Sequence, residues 1–376
     1  MTLLSAKSGY LQRETSRHLG IDSLRILSMW MIVIMHVLRQ SGLLYETEVM
    51  STKYEAAWLM EIAAYCAVNC YALISGYVGY QSKVKYDKLL LLWLQVFFYT
   101  LLITGIFAVF KPGTVNLSVW KRALFPMSQK QYWYFTAYFA LFFFMPALNL
   151  VIQRLERKEL KLLLGGCFFL FSIVQTIRQV DLFDLHNGYS VLWLIVLYLM
   201  GGYLHKYGIP EKVKKRTVFF LYIGCVVVTW AVQYGLLNDA KIHGTEGKNG
   251  MLLISYLSPT ILVAGIALFL LFAKLQPKNV LLCGVIRFLA PLSFSVYLIH
   301  VHPLLFDSVL KEQVSFLVDL RTRYAVPMTL VTAAVIYLLC SLIDKIRLEL
   351  FRMLHVPILC QKLLSLPQRW KEREGR

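Results

Sequence analysis

The sequence predicts an all-α polytopic membrane protein of about ten transmembrane helices, with both termini on the inner side. Three observations predict it. Hydrophobic residues make up 58% of the 376 and charged residues only 16%, where a soluble domain averages about 25% charged. Apolar stretches of roughly 17–24 residues recur from one end to the other, each long enough to cross a bilayer. With the N-terminus inside, 26 of the 39 Lys and Arg fall on inner segments and 12 on outer ones, the bias that positive-inside topology requires. That bias accounts for the net charge of +18 without nucleic acid, and no nucleic-acid partner is expected.

The expected spans lie near 20–38, 57–78, 89–110, 132–152, 162–178, 189–205, 217–237, 252–273, 284–303 and 325–343. The segment before the first carries Lys7, Arg13 and Arg17 but no small-residue site after an apolar core, so no cleavable signal peptide is expected. Lys83, Lys85 and Lys88 follow the second span at the inner face. The segment 111–131 runs against the charge rule: it is outer by count, yet holds Lys111, Lys121, Arg122 and Lys130. The fourth span opens on Gln131-Tyr132-Trp133-Tyr134, where an interfacial aromatic belt is expected, and Pro146 and Asn149 mark its inner half. The ninth closes on Tyr297-Leu298-Ile299-His300-Val301-His302-Pro303, with the proline stopping the helix.

One membrane domain is expected over 1–344, followed by a cytoplasmic tail over 345–376. In the tail, RLELFRML at 347–354 alternates basic and apolar residues, the pattern of an amphipathic helix on anionic membrane lipids. The outer loops reach only about 20 residues, so any chemistry belongs to the helical bundle itself. The seven cysteines form no Cys-x-x-Cys pair and no His cluster at zinc spacing, so no metal is expected and most read as small buried hydrophobes.

The first span carries the polar signal. IDSLRILSMWMIVIMHVL (21–38) contains Asp22, Arg25 and His36, and ionisable groups within a membrane face protein or water-filled space rather than lipid. Eleven residues separate Arg25 from His36, which sets them within about 20° of each other and ~16 Å apart along a helix. His36 reads either as a packing histidine or as a general base. Arg25 reads either as the partner of Asp22 or as a holder of an anionic group such as phosphate, with Lys83, Lys85 and Lys88 as a collar around it. In the second span Glu61, Tyr65 and Asn69 are expected on one face, and Ser75-Gly76 permits close helix packing. His300 reads as a second candidate facing His36, with His302 on another face.

On these residues the chain resembles the acyltransferase-3 family, the bacterial integral-membrane enzymes that O-acylate carbohydrates. The matching elements are Asp22-Ser23-Leu24-Arg25 with His36 eleven residues on, Ser75-Gly76-Tyr77, Trp133-Tyr134 with Tyr138 and Pro146, and Tyr297-Leu298-Ile299-His300; together they cover roughly 20–305. The chain departs from the pattern at Cys70-Tyr71, where an aromatic pair precedes the Ser-Gly in relatives. It departs again after Lys88, where Leu89-Leu90-Leu91-Leu92-Trp93 replaces further basic residues. The appended esterase-like domain of some relatives is not seen, so direct delivery to the acceptor is expected.

The resemblance implies a bacterial plasma-membrane enzyme. Acetyl-CoA enters from the cytoplasm as donor, and a hydroxyl of a surface polysaccharide or lipid-linked precursor is the acceptor. It implies His36, His300 and Asn69 as catalytic residues, and Arg25, Lys83, Lys85 and Lys88 as donor-binding. Direct transfer and an acyl-His36 intermediate both stay open, as does a homodimer. The competing class is a transporter or flippase for a lipid-linked sugar or small metabolite, with Arg25, Glu61 and His36 along its pathway. The chain shows neither the internal repeat nor the paired broken helices of such proteins, and a transporter consumes no CoA.

Overall fold

The computed structural model describes residues 18–82, 84–245 and 248–364. Lys7, Arg13, Arg17 and Lys83, and Arg369, Lys371, Arg373 and Arg376 of the expected tail, lie outside them. Among the described residues the chain is helical, with no strand. Eight helices are long and apolar enough to cross a membrane: α1 Leu19–Gln40, α2 Thr52–Gly79, α3 Tyr86–Phe110, α5 Trp133–Arg154, α6 Arg157–Arg178, α8 Lys215–His243, α10 Val280–His300 and α11 Thr322–Met353. Two shorter apolar helices, α7 Val191–Tyr207 and α9 Pro259–Ala273, occupy the remaining expected spans. The short α4, Leu117–Leu124, breaks up the basic segment 111–131. The protein is a multi-pass membrane protein.

The helix ends follow local chemistry. His18 caps α1 by accepting from the Ile21 N–H, with Asp22 in the first turn and Arg39 in the last, the arrangement that suits the helix dipole. Ser51 caps α2 on the Tyr54 N–H. α1 sits centrally: Leu24, Val33, Val37 and Leu38 are fully buried, and α2, α9, α10 and α11 pack around it. The closest approach is between α2 and α7. A Cβ on Gly76 would lie 2.0 Å from the Tyr198 carbonyl oxygen, and one on Gly201 would lie 2.1 Å from that of Leu73. Backbones in contact through paired glycines are how membrane helices pack without a hydrophobic driving force, as the Ser75-Gly76 pair predicts.

Three departures from the expected regularity bear on the site. α2 is interrupted at Cys66, yet Tyr65 and Asn69 on either side of the break both reach Tyr256, one through its ring at 5.0 Å and the other through its amide at 2.9 Å. α6 widens into a π-helical turn at Phe169–Val174, and a second π turn, Leu305–Leu310, follows α10; such turns recur beside functional sites. α11 runs unbroken to Met353, through the position where the tail was expected to begin. Arg347, read as a surface charge of that tail, is instead buried: its guanidinium grips Asp344 by Nε (2.8 Å) and Nη2 (2.9 Å). The Tyr99 hydroxyl donates to the same carboxylate at 2.7 Å, tying α3 to α11.

Candidate active site

α1 carries His36 toward one end of the bundle and Arg25 toward the other. The helix α10 brings His300 to His36: His36 Nδ1 and His300 Nε2 lie 2.8 Å apart, although 264 residues separate them. His300 Nδ1 lies 2.5 Å from the Val296 carbonyl one turn back. A carbonyl only accepts, so in the neutral pair His300 Nδ1 carries the proton and its Nε2 presents a lone pair. His36 Nδ1 must then donate to it, and His36 Nε2 is left with its lone pair unused. This is a base oriented by a second group that is itself oriented by a third. α10 is held in turn by the Tyr132 hydroxyl on the Leu298 carbonyl (2.9 Å), by Ser293 on Tyr337 (2.8 Å) and by Gln95 on Ser295. The Phe306 ring, from the π turn after α10, stands edge-on to His36 at 5.3 Å.

His36 lines a small chamber of about 40 Å³ with Tyr71, Trp133, Tyr134, Tyr256, Phe294 and Tyr297. The hydroxyls of Tyr71, Tyr134 and Tyr297 are buried without a hydrogen-bond partner of ordinary geometry. Buried polar groups are paired in the great majority of cases; Ser293, Ser75 and the Tyr134 backbone lie near these hydroxyls, so the three are loosely held donors around one chamber. The chamber shares Tyr71, Tyr134 and Phe294 with a basin of about 380 Å³ lined by Arg25, Ser75, Lys85, Lys88 and Tyr138. Arg25 pairs with Asp22 at 2.6 Å, as the first reading of it expects, and keeps 27% of its side chain exposed. A guanidinium has five donors, and among the described residues one is used.

The expected site is therefore assembled in part. His36 and His300 meet; Arg25, Lys85 and Lys88 share one basin. Asn69 does not join them: its Nδ2 donates to the Tyr256 carbonyl (2.9 Å) and its Oδ1 accepts from Trp193 Nε1 (3.1 Å). It clamps the backbone of a residue whose ring walls the chamber. Trp133 and Tyr134, expected as an interfacial belt, turn inward to line the chamber. Tyr71, at the position where the chain departs from its relatives, lines both cavities. Tyr256 went unnoticed in the sequence because nothing local distinguishes it. The Asn187-Gly188-Tyr189 turn beside it was also missed. Gly188, at φ +95°, admits no Cβ, which would lie 2.6 Å from that of Tyr256.

Two more pockets, each about 430 Å³, open near the His36 end. One is lined by Lys111, Arg122, Gln131, His302, Asp307 and Glu312 among others; His302 thus lies apart from His300, as their spacing requires. The other lies between the loops 179–190 and 251–258. Asp181 staples its rim. The carboxylate accepts from the Leu185 N–H (2.8 Å), the His186 N–H (2.6 Å) and Gln175 Nε2 (3.0 Å). Partial burial pushes this carboxyl up, but the three donors outweigh it and hold the group below its ordinary range.

The sequence model of the acyltransferase-3 family, described as an acyltransferase domain, matches residues 18–349. The chain belongs to the acyltransferase-3 family. It is accordingly a membrane acyltransferase, and the chamber, the basin and the two pockets all fall within the matched span. Comparison with curated proteins and with solved structures gives no match.

Proposed function

We propose that this acyltransferase-3 protein moves an acetyl or other short acyl group from cytoplasmic acyl-CoA to a hydroxyl of a cell-surface carbohydrate, in the plasma membrane of a bacterium. One observation carries the reading: a fixed His36–His300–Val296 chain opens on a chamber that shares three walls with a basic basin. The donor set fits acyl-CoA at both ends. Arg25, Lys85 and Lys88 suit phosphates, with Lys83 joining them by sequence, and the loosely held tyrosine hydroxyls suit a thioester carbonyl. The basin then faces the cytoplasm, and His36 works near the opposite surface.

Acyl-CoA, when bound, supplies the activated acyl carbon. His36 Nε2 takes the proton of the acceptor hydroxyl as its oxygen bonds to that carbon. Tyr71, Tyr134 and Tyr297 donate to the carbonyl oxygen as it gains negative charge. The carbon–sulfur bond breaks, and His36 returns the proton to the departing sulfur. His300 is a positioning residue that sets the His36 tautomer, and Asn69 acts through Tyr256.

The test is release of free CoA thiol from acetyl-CoA by purified protein, with and without surface polysaccharide. His36→Ala is expected to lower the rate by about 10²-fold or more, the range of a general base. Equal rates would remove His36 from the reaction, and an absence of CoA consumption by wild type would favour a transporter.

A further inference from the structure

The pocket between loops 179–190 and 251–258 has a composition unlike the other three cavities around the site. We propose that it is the acceptor subsite, and that it takes one or two rings of an uncharged glycan. This rests on the acyl-transfer reading above and adds where the acceptor binds and of what class it is.

The first argument is its floor. Tyr65 and Tyr189 line the pocket; both rings lean on Tyr256, each at 5.0 Å between centroids. Tyr189 also lies 4.5 Å from Trp133. Tyr256 and Trp133 belong to the wall of the His36 chamber. The rings that floor the pocket thus pack directly on the rings that wall the His36 chamber. The pocket with His302 shares no lining residue with the His36 chamber, and none of the aromatic contacts just described reaches it.

The second argument is chemistry. Sugar rings present apolar C–H faces and a rim of hydroxyls, so they are bound by aromatic faces together with neutral hydrogen-bonding groups. The pocket offers Tyr65 and Tyr189 as faces, and Thr176, Gln179 and Asn187 as polar groups. No Lys, Arg or His is in its lining, and its one acid, Asp181, has both oxygens engaged by the loop. An anionic sugar therefore finds no counter-charge here, whereas the other pocket carries Lys111 and Arg122 alongside Asp307 and Glu312. The volume of about 430 Å³ is at the lower end of small-ligand sites, enough for a short stretch of chain.

The third argument is preorganisation. The rim holds Gln179, Asp184, His186 and Asn187 at φ between +49° and +55°, a left-handed conformation that non-glycine residues adopt at some cost. The Asp181 staple and Gly188 sustain it. Strain of this kind collects where a loop must hold a shape for a ligand.

The experiment uses full-length protein in nanodiscs, acetyl-CoA as donor, and two sets of acceptors: neutral gluco-, manno- and galacto-oligosaccharides, and oligogalacturonate. Wild type, Tyr189→Ala, Tyr189→Phe, Gln179→Ala and, as a control in the other pocket, Arg122→Ala are compared for the KM of acceptor and of donor. Tyr189→Ala is expected to raise the acceptor KM about tenfold, the effect of losing an aromatic anchor. Gln179→Ala should raise it less, and neither should move the donor KM. Tyr189→Phe should stay near wild type, because the ring face is kept. An unchanged acceptor KM in Tyr189→Ala, a shift in Arg122→Ala instead, or use of oligogalacturonate alone would overturn the subsite while leaving acyl transfer intact. Thiol release that no glycan stimulates would overturn the carbohydrate reading itself, and the subsite with it.

Discussion

Among the described residues, two Asp–Arg pairs have the same spacing and nearly the same contact, and they differ in how far they are sealed. Asp22–Arg25 closes at 2.6 Å and Asp344–Arg347 at 2.7 Å, each across three residues of one helix. Arg347 is 7% exposed and Asp344 not at all, while Arg25 keeps 27% of its side chain open. The sealed pair spends its donors on itself: the guanidinium forks onto both carboxylate oxygens, lies 5.0 Å from the Phe351 ring, and shares Asp344 with Tyr99. In the open pair one Arg25 donor reaches Asp22, and the residue lines the basin. Identical local chemistry thus gives a lock in one place and, in the proposed reading, a docking point in the other. What separates them is the exposure of the arginine, 7% in one pair and 27% in the other.

Breaking the sealed pair should have the largest effect. Asp344→Ala leaves a buried guanidinium without its partner, which costs about 3–5 kcal/mol when one member of such a pair is removed. Thermal unfolding in detergent should show the loss, and a shift no larger than that of Asp22→Ala would contradict the assignment. Arg25→Ala should leave stability within about 1 kcal/mol, as partly exposed pairs do. It should instead raise the KM for acyl-CoA roughly ten- to a hundredfold, through loss of a charge-assisted hydrogen bond worth about 1.5–3 kcal/mol. An unchanged donor KM with lowered stability would reduce Arg25 to a second lock. The smallest effect is that of salt. From 0.05 to 0.5 M the donor KM should climb severalfold, because the exposed Lys85 and Lys88 are screened, while the unfolding temperature should not follow it.

The helical bundle was legible because each apolar run is long enough to span a bilayer, and that property is local. The Arg25–His36 stripe was legible for the same reason: a membrane helix keeps an arginine and a histidine only where something polar waits for them. The partners of these residues were not legible. His300 meets His36 across 264 positions; its place at the end of an apolar span made it a candidate, but no local pattern records the contact. Tyr256 enters from an irregular loop with no period to read. Arg347 looked like one more cation of a basic tail, since no pattern in 345–352 records that Tyr99 will be packed against it. The role of Asn69 was not legible either, because its amide is taken up by Trp193 and Tyr256, which come from distant parts of the chain. The π turn at 169–174 leaves no mark at all in Phe-Leu-Phe-Ser-Ile-Val.

The Val296 carbonyl at the end of the histidine chain has a consequence for energetics across the bilayer. It accepts from His300 Nδ1 and has no proton of its own to pass on, so the chain is a dead end rather than a wire. In the proposed reaction, a proton lifted from the acceptor has nowhere to go but back, onto the sulfur leaving the same chamber. Each turnover then exchanges no proton with either compartment. An enzyme standing across the membrane in this way would run at the same equilibrium whatever the transmembrane pH gradient or voltage, and a collapsed proton-motive force would leave its chemistry untouched.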